Sequence, residues 1–104
     1  MSGLIFETST EKGLIALSLG GNLIAAKPLA GGPELSKTLA LEVKNLLTLH
    51  SFQPEFIAVG TGPGSYTGIR VGAALAKSLA FGWNIPLFGF CSLKAFAVSH
   101  KQRP

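Results

Sequence analysis

Few residues in this 104-residue chain could do chemistry, and they are unevenly placed. All five acids are Glu (7, 11, 34, 42 and 55) and there is no Asp, which excludes an Asp base, an Asp nucleophile or an Asp-held Mg²⁺. His50 and His100 stand about fifty residues apart, too far to suggest a shared metal, and both suit solvated or capping positions. A lone Cys91 in an apolar context rules out a disulfide framework and a structural zinc site. The one dense signal is Gly60-Thr61-Gly62-Pro63-Gly64-Ser65-Tyr66-Thr67-Gly68-Ile69-Arg70-Val71-Gly72. It follows a strand-like run and opens a helix, where free backbone N–H groups favour an anion. Known phosphate and nucleophile loops do not fit it. No Gly-Lys-Ser/Thr occurs, so it is not a Walker A loop. The sixth position of a dinucleotide fingerprint is Ser65 or Thr67 rather than Gly, and Ser65 is flanked by Pro63 and Thr67 where a nucleophile elbow needs Gly.

What remains is a stiff loop through Gly62 and Gly64, with Ser65 or Thr67 as the helix N-cap. The glycines either only turn the chain and cap the helix, or also present N–H groups to an anion. Beyond the loop, Gly68, Gly72, Ala76 and Ala80 recur every four residues, with Ala73 beside them, and make one smooth stripe. Two glycines inside a helix cost about 1 kcal/mol each relative to Ala, so the stripe calls for a close neighbour. That neighbour is either the chain's own sheet and first helix, or another protein. Arg70 lies in the first turn, where the macrodipole disfavours a cation. It is either solvated or paired with a carboxylate or phosphate near the loop.

The elements that must carry these residues read as β-β-β-α-β-α-β-α. Gly3–Glu7, Gly13–Leu19 and Leu23–Leu29 are strand-like, with a hairpin signal at Gly20-Gly21-Asn22. Phe56–Val59 is a fully apolar strand of the parallel type, and Pro86–Phe90 a short fifth. One helix is expected from Pro33, at its N1 position, to Leu49, with Leu35, Leu39, Val43 and Leu46 in one stripe and Leu41 and Leu47 widening it. A second runs from Tyr66 or Thr67 to Trp83, and a third from Ser92 to His100. The pattern implies one α/β domain with helices packed on a mixed five-stranded sheet. It is the order of the ribonuclease-H-like half-domain of the actin, sugar-kinase and Hsp70 superfamily.

Composition points the same way. Only 13% of the residues are charged, against about 25% in an ordinary soluble domain. A chain this short cannot hide that much apolar surface in its own core, which suggests a partner or a second lobe. The net charge of +4 comes from scattered Lys and Arg, so no RNA-binding stripe is visible. No basic n-region follows Met1 and no apolar run reaches a membrane span, so a cytoplasmic protein without membrane contact is expected.

The run GTGPGSYTGIRVGAALAKSLAFGWNIPLFGFCSL resembles the hallmark region of the TsaB (YeaZ) family. The opening GLIFETSTEKGLIALSLGGNLI is similar to that family's first three strands. The resemblance implies an actin-like two-lobe protein about twice this length, with residues 1–104 as a single domain, the N-terminal lobe. It also implies the family's role: a non-catalytic scaffold or activator subunit that binds the catalytic paralogue TsaD to make threonylcarbamoyladenosine in ANN-decoding tRNAs. TsaD and a TsaE-type ATPase are then the implied partners, with a homodimer in their absence and tRNA reached only through the complex. No cofactor is expected on this chain alone, although ATP or ADP could sit at an interface with a partner. The implied interface lies on the first two helices: Leu39, Val43, Leu46, Gly68, Arg70, Gly72, Ala73, Ala76, Lys77 and Ala80.

Departures from the family sharpen this. Where the family usually has Asp-Thr after the first strand, this chain has Glu7-Thr8. The paralogue's two metal-binding His residues are absent from Glu34–Leu39. A nucleotide-binding enzyme of the actin class and a glycoprotease-like metallopeptidase are the competing readings. The first wants an acid at the phosphate site, the second a cluster of ligands. Glu7, Thr8, Gly62, Gly64, Ser65 and Thr67 are expected to form a vestigial phosphate site, with the Glu7 carboxylate either clasping loop N–H groups and Arg70 or facing solvent.

Overall fold

The computed structural model describes residues 1–8, 13–29, 34–60 and 66–90. Five strands and two helices lie within them: β1 (Ser2–Glu7), β2 (Gly13–Leu19), β3 (Asn22–Leu29), α1 (Leu35–Leu49), β4 (Phe56–Gly60), α2 (Tyr66–Trp83) and β5 (Leu87–Phe90). The helix expected over 92–100 lies outside the described residues.

The strands form one mixed sheet in the order β3-β2-β1-β4-β5. The first three make an antiparallel meander, whereas β4 runs parallel to β1 and β5 parallel to β4. The hairpin between β2 and β3 is the two-residue Gly20-Gly21 turn, both at positive φ (59° and 85°). Only such a turn matches the strand twist, and glycine enters it without strain.

Alternation along the strands sorts side chains between two faces. Leu4 and Phe6 of β1, Ile15 and Leu17 of β2, and Ile57 and Val59 of β4 point to the face that both helices cover. There they meet Leu35, Leu39, Val43 and Leu46 of α1 and Ala76 and Ala80 of α2. Burying these side chains, at about 1.5–3 kcal/mol for each large one, is the main force holding helices to sheet. The opposite face carries Gly3, Ile5, Phe56 and Phe88. The Phe56 ring lies directly over Gly3, where a Cβ would collide with it, and packs edge-on against Phe88 at 6.0 Å between centroids.

The helix ends depart from the sequence expectation at one point. α1 begins at Leu35, after a cap residue Glu34 that is already near-helical and makes no side-chain cap. Both helices close in the same way. Ser51 (φ 47°) and Asn84 (φ 56°) turn left-handed, and the next N–H groups, of Phe52 and Ile85, return to the carbonyls of Leu47 and Ala80. This paired bonding satisfies carbonyls that a helix end otherwise leaves bare.

Candidate functional site

The parallel pairing of β1 with β4 brings the C-terminal ends of both strands side by side at the sheet centre, Phe6 opposite Val59. Open α/β sheets bind ligands at that edge. Glu7 and Thr8 leave β1 there and diverge. Glu7, half-buried, continues the face away from the helices, across from Leu14. Thr8 is fully buried on the helix side, where its Oγ1 abuts Gly72 of α2 so closely that a Cβ at Gly72 would collide with it. That hydroxyl makes no hydrogen bond among the described residues. Gly62, Gly64 and Ser65 lie outside the described residues, and Thr67 and Gly68 are described only as part of the α2 backbone. Among the described residues no group of three or more His, Cys, Asp or Glu side chains is placed to hold a metal ion.

The stripe on α2 has a close neighbour within the chain. The small-residue stripe of α2 faces inward: Gly72 is buried against Thr8, and Ala76 and Ala80 belong to the core. Leu39, Val43 and Leu46 are likewise buried. These six side chains are thus largely covered within the chain itself, with Leu39 and Val43 also reaching the space between the two helices. The physical reason is close approach, since α2 crosses the centre of the sheet and only small side chains fit between. Ala73 is half-buried, whereas Arg70 and Lys77 are exposed.

The outer side of the two helices holds what the sequence reading missed. Between them runs an apolar groove of about 330 Å³, lined by Val43, Leu47, Leu75, Leu79 and Trp83, with Lys44 at its edge. It continues past Leu47 and Trp83 toward Phe52 and Pro54. Elsewhere on the outer side of the helices Phe81 is 90% exposed and Leu41 57%. The signal was present in the periodicity. If positions 72, 76 and 80 face the sheet, then 74, 77 and 81 must face away.

This outer face is apolar and open. Residues 29–104 match the family model described as TsaD: tRNA N6-adenosine threonylcarbamoyltransferase. The protein named tRNA threonylcarbamoyladenosine biosynthesis protein TsaB from Haemophilus influenzae is 36% identical over 96 residues, covering 90% of this chain and 41% of that protein. YeaZ from Pseudomonas aeruginosa superposes with a TM-score of 0.78 at 27% identity, over 86% of this chain and 43% of that one. The chain belongs to this family, on its TsaB (YeaZ) branch. It spans about two fifths of the length of these relatives. Thermus thermophilus RuvC in complex with its Holliday junction substrate shares the fold alone, at a TM-score of 0.62 and 14% identity over 89% of this chain and 66% of that one. The ribonuclease-H-like, actin-type half-domain expected from the element order is thus the fold observed. No helix among the described residues is long and apolar enough to cross a membrane.

Proposed function

We propose that this chain is the N-terminal lobe of a TsaB-type subunit and serves the formation of threonylcarbamoyladenosine in tRNA by docking a TsaD-type paralogue on its helical layer. One observation carries the reading: the outer side of the helical layer is apolar, with an open groove between α1 and α2 and a Phe81 ring that is 90% exposed. Exposed aromatic and apolar side chains on one face are the usual composition of a binding hot spot. The low charge of the chain fits a surface meant to be covered. In this reading the chain contributes shape and contact area, and the chemistry belongs to the paralogue. A TsaE-type ATPase and the tRNA are reached through the complex. The β1–β4 edge is then a vestigial phosphate site, with Glu7 in the place of the family's usual Asp.

Co-purification with the TsaD-type protein of the same organism tests this. A stoichiometric complex that Phe81→Ser abolishes is the expected result. Failure of the wild-type chain to co-elute would overturn the docking role. So would a metal-dependent turnover by the chain alone that vanishes with Glu7→Ala, because catalysis would then reside here.

A further inference from the structure

We propose that a hollow at the far end of the helical layer, where α1 and α2 stop, binds an uncharged planar ring carrying an amide-type edge. The hollow lies at the sheet edge opposite Glu7 and Thr8. Both helices run down to that edge, because each returns the chain to the start of a parallel strand. The space enclosed there is about 480 Å³, within the ~300–1,000 Å³ of small-molecule sites. One wall is Leu47 with Ser51, Phe52 and Gln53, and the other is Trp83 with Ile85. Leu47 and Trp83 also border the groove above, whereas Ser51, Gln53 and Ile85 do not. Both walls are fixed by backbone bonds. The N–H groups of Phe52 and Ile85 return to the carbonyls of Leu47 and Ala80 at 2.9 and 3.0 Å. The Gln53 carbonyl accepts a bond from the Ser2 hydroxyl at 2.9 Å, so this wall is pinned to β1 as well as to α1. A ligand meets a site already shaped and loses little to ordering it.

The groups left over point to the occupant. The Ser51 hydroxyl and the Gln53 carboxamide are exposed and make no hydrogen bond among the described residues. Together they offer donors and acceptors. Trp83, 41% exposed, supplies an aromatic surface for stacking. Among the described residues no charged side chain lines the hollow. Lys44 borders only the groove above, and the Glu55 carboxylate is taken by Ser2. An ion would lose hydration here without gaining a partner. A wholly apolar ring would leave both polar groups unpaired on its own side. A neutral ring with an amide edge stacks and pairs at once.

Trp83 is the chain's one tryptophan, so its indole N–H gives a single resonance at this site. Titration of the full chain with benzamide, benzoate and benzylammonium, one ring in neutral, anionic and cationic form, tests the proposal by heteronuclear NMR. Benzamide is expected to shift the Trp83 indole and the Gln53 side-chain amide together and saturably, in the millimolar range for so small a ligand. Both ions should bind about tenfold more weakly or worse. Gln53→Leu should weaken benzamide binding by about three- to tenfold, the loss of one hydrogen bond. Ser51→Gly should do the same, and its left-handed φ of 47° is one that glycine accepts without strain. Backbone resonances away from the hollow should stay in place in both variants. No saturable shift, equal binding of the three probes, tighter binding of either ion, or benzamide affinity unmoved in both variants would each overturn the proposal. So would a shift of Trp83 without Gln53, which would put the probe in the groove above. Capture of the TsaD-type protein is read separately, so the docking role and this site fail independently.

Discussion

Thr8 is fully buried, yet among the described residues its hydroxyl has no hydrogen-bond partner. A buried polar group left unpaired costs about 1–3 kcal/mol, and Val has nearly the shape of Thr. Thr8→Val should therefore raise the urea midpoint, by roughly 1 kcal/mol of stability; a lower midpoint would mean that the hydroxyl has a bonding role. The same contact governs Gly72. In open helix, Gly→Ala gains about 1 kcal/mol, as Gly82→Ala should, since nothing lies within 4 Å of a Cβ built there. At Gly72 the new methyl meets Thr8 Oγ1. Overpacking of that kind costs about 1–3 kcal/mol, so Gly72→Ala should destabilise, and Thr8→Ala should relieve most of the cost. Denaturation of the two single variants and the double variant reads out the coupling directly. Additive effects would show that the two residues do not share a contact.

Elements are tied together by a few polar bonds at the opposite edge of the sheet. Glu55, just before β4, accepts hydrogen bonds from the Ser2 backbone N–H at 2.8 Å and from the Ser2 hydroxyl at 3.1 Å, and so fastens the start of β1 to the start of β4. The Ser2 backbone bond, then the hydroxyl, hold the Glu55 carboxyl below its ordinary value. A lowered folded-state pKa means the contribution is fully present above the ordinary carboxylate range and is lost as the pH falls through the folded value. Stability should thus rise with pH across that interval, and Glu55→Gln should flatten that part of the curve in urea titrations at stepped pH. Much at this scale was legible in the sequence because the patterns are local. Gly20-Gly21 could only be a tight hairpin turn, and the 35/39/43/46 spacing gave the buried side of α1. The partner of the α2 stripe was not legible. Periodicity shows that a smooth face exists, and a sheet or a foreign helix can each fill it. The end of α1 at Leu49 was legible but its mechanism was not, since only the fold decides that Ser51 will turn left-handed there.

At the scale of the whole molecule, inside and outside of the helical layer can now be separated by substitution. Ala76 is fully buried between α2 and the sheet, whereas Phe81, five residues on, is 90% exposed. Ala76→Leu adds three carbons where the core has no space, and should cost about 1–3 kcal/mol or more. Its effect on partner binding should follow only from the lost folded fraction. Phe81→Ser removes an exposed ring that contributes nothing to the core cluster, so the melting temperature should hold or rise slightly. If Phe81 anchors the partner, affinity for the TsaD-type protein should fall by about tenfold or more, the range of an interface hot spot. Thermal melts and binding isotherms on the same two preparations decide the matter. A destabilised Ala76→Leu with near-normal binding per folded molecule, beside a stable Phe81→Ser that no longer binds, places the docking surface on the outer groove. The reverse pair of results would return the small-residue stripe to the interface, and would require α2 to rotate from the position described here.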